Sequence, residues 1–413
     1  VSERAVDFIN IKLMKCGGLW EAKKIVNIAE AAGVEIMLGC MAEESGIAIN
    51  AAAALGAALG NITRADLDAS FSLKALPYEG GFTIENTKDL VLSENPGNVP
   101  MSRAVTEEEM TQGISRLEAH TAQIMEEAKA RGIAVGVVDR TGRILYEKYF
   151  GYRDEEKKLP INRDTIFGMA SVTKSFTALS IMQMQKDGIL SVDDAVSAYI
   201  PEFTNKNQKE PVRLSHLMSH SGGYFPLPRI VVDKTAQEMG IKDSLEEELV
   251  DREDFAEEGI RRVAGRLDSQ THFTGRPGQR MRYCNDGFGL LSDIVRRHSG
   301  YGSFSAYLKE RIFKPLGMER SNISFLRNSL DENAATLYTL EDGTWRADHD
   351  YENDAFVLHG GGALKSTLGD MLKYVSMYLN EGKSQDGTQV IDRDSIEEMC
   401  RPRQIVKPGV YYG

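Results

Sequence analysis

The sequence predicts an α/β partial (βα) barrel segment followed by an α+β domain made of a helical subdomain and an antiparallel sheet. Three observations carry this. The first eighty residues run strand, helix, strand, helix, strand; a stretch mixing Pro, Gly, Asn and charge then breaks the periodicity; and the remaining three quarters of the chain open on a capped helix and a hairpin signal. At 413 residues the chain exceeds what one hydrophobic core usually serves. We therefore expect a barrel-derived domain over 1–83, a linker over 84–107 and a second domain over 108–413.

FINIKLM (8–14) reads as a buried strand, followed by Gly17-Gly18 and an amphipathic helix through Ala32 that stops at Gly33. The pattern repeats with a strand over Val34 to Leu38 and an alanine-rich helix over Glu44 to Leu59, and Ala65 to Leu73 alternates like a third strand. Three strands are too few to close an eight-stranded barrel, which takes roughly 250 residues. In such barrels chemistry sits at the C-terminal strand ends, where Lys12, Lys15, Gly39-Cys40, Asp66 and Asp68 fall. Spacing alone favours a solvated rim lysine at Lys12 over a catalytic one.

Thr106 and Glu109 form a capping-box pattern that opens a helix to about Ala130. Two strands, Ile133 to Asp139 and Arg143 to Phe150, meet at a turn over 139–142. A helix is expected over Ile166 to Gly188, with Ser171 near its start and Lys174 one turn later on the same face. Residues 231–268 read as a charged helical insertion, a solvated lid or flank.

The net charge of −12 argues against nucleic-acid or anionic-membrane partners and favours a small-molecule or peptide ligand. Cys16, Cys40, Cys284 and Cys400 lie far apart, without metal-site or disulfide-scaffold spacing, and read as reduced thiols. No apolar run of about 18 residues and no signal-peptide design appears, so a cytoplasmic location is expected. The start at Val1 and the stop at Tyr411-Tyr412-Gly413 lead us to expect a piece of something longer.

A serine hydroxyl is a weak nucleophile until a base takes its proton, and a neutral lysine one helical turn away can do that. The S-x-x-K pattern occurs once, a frequency that chance alone would produce. Tyr283-Cys284-Asn285 adds a Y-x-N element; copies at Tyr351 to Asn353 and Tyr378 to Asn380 lie in an acidic loop and an amphipathic helix, so context selects Tyr283. His216 and His220 are spaced like a metal pair, but no carboxylate-rich partner motif accompanies them and no metal is expected.

Two resemblances add to this. NIKLMKCGG through GAAL, followed by ADLD, resembles the last barrel strands of the enolase superfamily, most closely its dipeptide epimerases of Ala-Glu type. That implies an acid/base role for Lys12 and ammonium-binding roles for Asp66 and Asp68. It also implies Mg²⁺ in a complete barrel. The carboxylate ligands come from earlier strands that this chain lacks, so no epimerase activity is expected from it alone.

In order, MASVTKSFTAL, LSHLMSHSGG, PGQRMRYCNDGFGLLSDIV, RIFKPLGMERS and GGGALKSTLGDMLKY resemble the serine β-lactamase-like family, class C and penicillin-binding-protein type. The resemblance implies an acyl-enzyme mechanism without cofactor: Ser171 attacks, Lys174 and Tyr283 shuttle the proton, and Asn285 orients the substrate amide. Substrates would be small peptides, amides or esters, D-amino-acid peptides among them. The family's third box, His or Lys before a small residue and Gly, is matched only by His359-Gly360-Gly361, which fits the earlier glycine-rich loop better; the expected place is after the terminal YYG, so a C-terminally truncated sheet is expected. Two other readings stand beside this one: a catalytically silent peptide-binding or regulatory module of the same fold, and a truncated, non-functional gene fusion.

Overall fold

The structure is a computed structural model that describes residues 6, 8–41, 46–67, 78–79, 82–85, 89–92, 99–100, 106–139, 141–227, 238, 253–324, 327–328, 330–348, 359–407 and 410–412. The chain folds as two compact units, Val1–Met110 with Lys407–Val410, and Thr111–Val406 with Tyr411–Gly413. Among the described residues no helix is long and apolar enough to cross a membrane.

In the first unit, β1 (Phe8–Ile11), β2 (Glu35–Gly39) and β3 (Ile62–Asp66) form a three-stranded parallel sheet in that order. The connections are α1 (Leu19–Ala31) and α2 (Gly46–Ala58), as parallel pairing requires. Ile11, Ile36 and Leu38 from the sheet meet Val26, Ala29, Ile49 and Ala53 from the helices in one buried cluster. The third strand begins three residues before the predicted Ala65, since Ile62 pairs with Ile36 and Asp66 with Gly39; residues 68–73 of the predicted strand lie outside the described residues. Across the start of the segment read as a linker, Phe82–Glu85 pairs with Asp89–Leu92, and Val99–Pro100 within it pairs back with Tyr78–Glu79. Such short local ladders need no long hydrophobic period, so periodicity does not reveal them.

The second unit opens on α3 (Glu107–Glu127), where Thr106 and Glu109 exchange the two capping-box hydrogen bonds at 3.0 and 3.2 Å. Next, β4 (Gly132–Val138) and β5 (Ile144–Asp154) pair antiparallel, and Leu159–Pro160 adds a short edge on β5. The helix predicted from Ile166 begins later. Phe167–Gly168 is a strand paired with Lys365–Ser366, and Ala170–Val172 is a 3₁₀ turn that feeds α4 (Thr173–Lys186).

α4 buries Phe176, Leu179, Ile181, Met182 and Met184 on every side, the signature of a central helix. Against it pack α6 (Asn285–His298), which in turn carries α5 (Glu253–Asp268), and α7 (Leu368–Leu379), with Phe176 stacked on Tyr374 at 3.8 Å between centroids. One face of the helix in the expected solvated insertion is thus core. Phe255, Val263 and Leu267 of α5 are at most 2% exposed, and Glu257 binds Arg296 and Arg297 of α6 at 2.7 Å. Charge density along that segment concealed a three-to-four-residue apolar stripe.

Candidate active site

Ser171 lies in the 3₁₀ turn ahead of α4, exposed, and Lys174 follows one turn later, 4% exposed. The turn is strained. Ala170 holds φ +42, a left-handed conformation that costs a non-glycine residue about 1–3 kcal/mol and is retained mostly at functional sites. Thr173 Oγ1 secures it by donating to the Ala170 carbonyl at 2.6 Å and accepting the Leu364 backbone N–H at 3.0 Å.

Lys174 Nζ is 3.1 Å from Ser171 Oγ, and the Tyr283 hydroxyl is 2.7 Å from the same oxygen. Lys174 also donates to the Gly361 carbonyl at 2.6 Å. Burial pulls the Lys174 pKa below the ordinary lysine range, with Tyr283 partly opposing it. A neutral amine anchored by one N–H on Gly361 keeps its lone pair for the serine proton.

Tyr283 precedes α6, which Asn285 opens as its first residue, half-buried. Between them Cys284 is half-buried, and desolvation pushes its thiol up to about 12, so it is no rival nucleophile. Of the other Y-x-N copies, Tyr378 lies in α7 with its hydroxyl 2.9 Å from that of Tyr374, and Tyr351 lies outside the described residues.

The glycine-rich run does what sequence reasoning missed. His359–Gly362 is one buried turn against α4 and α6: Gly360 accepts from Thr177 Oγ1 at 2.9 Å and Gly361 from Lys174. His359 is buried there, its pKa pushed down to about 3 by burial, so it does not open onto solvent as a substrate-binding third box would. A Cβ on Gly360 would lie 2.4 Å from the Phe288 carbonyl oxygen and 2.8 Å from Ser292 Cβ. Gly360→Ala is therefore expected to destabilise the second unit by about 1–3 kcal/mol, read from urea unfolding. An unchanged midpoint would contradict this packing.

His216 Nδ1 accepts the Arg213 backbone N–H at 3.2 Å, and His220 Nδ1 accepts that of Cys284 at 3.2 Å. Both rings thus serve the backbone. A cavity of about 440 Å³ opens from Ser171 and Lys174, lined by Val172, Ala178, Met182, Met218, Phe288 and Met399. It runs from Ser171 along α4 to Met182, eleven residues on.

In the first unit the C-terminal ends of the three strands come together. Lys12, half-buried just past β1, donates to the Cys40 carbonyl at 2.6 Å, and the Cys40 N–H donates to the carbonyl of Asp66, whose side chain is exposed at the end of β3. Gly39 leaves no room for a side chain, since its Cβ would lie 2.6 Å from Asn10 Oδ1. Asp68 lies outside the described residues. Among the described residues no group of three or more His, Cys, Asp or Glu is placed to hold a metal ion.

Comparison with known proteins adds to this geometry. Residues 117–402 match the family described as Beta-lactamase, and residues 1–98 match the one described as Enolase C-terminal domain-like. The chain is 58% identical over 97 residues to the hydrophobic dipeptide epimerase of Enterococcus faecalis, 24% of this chain and 27% of that one. It is 31% identical over 210 residues to esterase EstB of Burkholderia gladioli, 49% of this chain and 50% of that one. Among solved structures, the octameric penicillin-binding protein homologue from Pyrococcus abyssi superposes with a TM-score of 0.58 at 30% identity, covering 73% of this chain and 62% of that one. The chain thus spans half or less of the length of these curated relatives.

Proposed function

The chain belongs to the beta-lactamase family, joined to an enolase C-terminal domain-like segment, and on that ground we propose that it is a serine hydrolase forming an acyl-enzyme on Ser171. The single observation that carries the reading is the convergence of Lys174 Nζ and the Tyr283 hydroxyl on Ser171 Oγ, at 3.1 and 2.7 Å. Lys174 takes the serine proton as Oγ attacks a carbonyl carbon. Tyr283 hands a proton to the leaving group, and the same pair activates the water that later releases the acyl group. The Ser171 N–H, ahead of α4, supplies one donor for the developing oxyanion, and Asn285 orients the substrate amide.

The substrate class we propose is a small ester, amide or peptide with an apolar acyl portion, D-amino-acid peptides included. The apolar lining of the cavity beside Ser171 supports the acyl preference. Each buried methylene is worth about 0.8 kcal/mol, or roughly fourfold in kcat/KM. Across p-nitrophenyl acetate, butanoate and hexanoate we expect kcat/KM to rise at each step. A series in which acetate is the best substrate would remove the apolar acyl preference while leaving the serine mechanism intact.

For the enolase-like segment we propose a part of a dipeptide-epimerase site. Lys12 is its acid/base group, and Asp66 and Asp68 hold the substrate's ammonium. The name of the Enterococcus relative supports dipeptides as the ligand class. A shared preference for short peptides would give the two segments a common substrate pool.

A further inference from the structure

His220 ends the short helix Leu214–Met218 in a left-handed turn, with φ +54. Its carbonyl accepts the Arg282 N–H at 2.8 Å, and its ring Nδ1 accepts the Cys284 N–H at 3.2 Å. The backbone N–H groups on either side of Tyr283 are therefore held by one residue. A peptide N–H can only donate, so Nδ1 must carry a lone pair and the ring proton sits on Nε2.

The ring is 2% exposed and lies 4.2 Å from that of Tyr283, 4.9 Å from Tyr412 and 5.1 Å from Phe288, between centroids. The titratable groups facing it are Lys174, Tyr283, Cys284 and Tyr412. Burial first, and the Lys174 ammonium second, hold its pKa down at about 4. A proton on Nδ1 would face the Cys284 N–H and break the contact. Tyr283, by contrast, is 39% exposed, so packing alone does not fix its hydroxyl.

We propose that His220 is a positioning residue: as the neutral Nε2–H imidazole it pins Arg282 and Cys284 and so sets the Tyr283 hydroxyl against Ser171. The proposal rests on the serine-hydrolase reading. It adds a residue that touches neither substrate nor Ser171, and whose backbone strain has a purpose.

Two variants separate the acceptor from the ring. In His220→Asn, the side-chain Oδ1 takes the place of Nδ1, and asparagine tolerates a left-handed backbone. His220→Phe keeps an aromatic ring and loses the acceptor. We expect kcat and the rate of fluorophosphonate labelling of Ser171 to fall about 10²-fold in His220→Phe, with KM within about threefold, and to recover to within about fivefold of wild type in His220→Asn. Equal losses in both variants, or wild-type kcat in His220→Phe, would overturn the proposal.

Imidazole ¹⁵N NMR of the wild-type chain gives a readout independent of turnover and of how well either variant folds. A neutral ring protonated on Nε2 at pH 7 is expected; a charged ring or an Nδ1–H tautomer would overturn it. Failure of wild type to label at all would strike the hydrolase reading instead, and the NMR spectrum would still decide the state of His220.

Discussion

Ser171→Ala is expected to abolish ester turnover, a loss of at least about 10⁴-fold, and to remove the single fluorophosphonate adduct expected by intact mass on wild type. The size follows from the role. Lys174 and Tyr283 act on an oxygen that the variant no longer has, and the oxyanion donor serves an intermediate that cannot form without it, so their contributions vanish together rather than one by one. Stability should not change, because the hydroxyl is exposed and its partners keep other contacts: Lys174 stays bonded to Gly361, and Tyr283 stays against His220. An adduct that persists in the variant would shift the nucleophile to another hydroxyl of the same cavity, Ser175 or Ser219.

Lys174→Met should lower kcat by about 10³-fold while leaving stability within about 1–2 kcal/mol of wild type. Methionine matches the length of the lysine stem. Deleting the amine removes a group that burial disfavours when charged, which offsets the lost hydrogen bond to the Gly361 carbonyl. The pH profile separates the roles. In wild type the active form is the neutral amine, so activity climbs as pH rises through the Lys174 pKa. Because burial lowers that pKa, the climb lies below the ordinary lysine range. The methionine variant should retain a small rate without that limb. The same limb in the variant would assign the titration to another group and remove Lys174 as base.

Elements whose pattern is short-range were legible from the residues alone. Apolar spacing placed β1, β2, α1 and α2, and the Thr106–Glu109 pair placed the start of α3. Ser171 and Lys174 were legible as neighbours because three residues of helical chain bring two side chains to one face whatever surrounds them. Alternation misread the start of β3, since it marks which face a residue takes and not where its ladder begins.

Meetings between partners remote along the chain came only from tertiary packing. Tyr283 reaches Ser171 across 112 residues, and the Gly361 carbonyl reaches Lys174 across 187. No period or spacing encodes those meetings. They depend on how α4, α6 and the glycine turn pack, and on backbone groups that carry no residue identity to read. His220 was legible only as half of a histidine pair; its ring finds a peptide N–H because the left-handed turn at φ +54 and the start of α6 are pressed into one core. The apolar stripe of α5 was hidden for the same reason: charge is counted along the chain, whereas burial is settled by the side of the helix that faces α6.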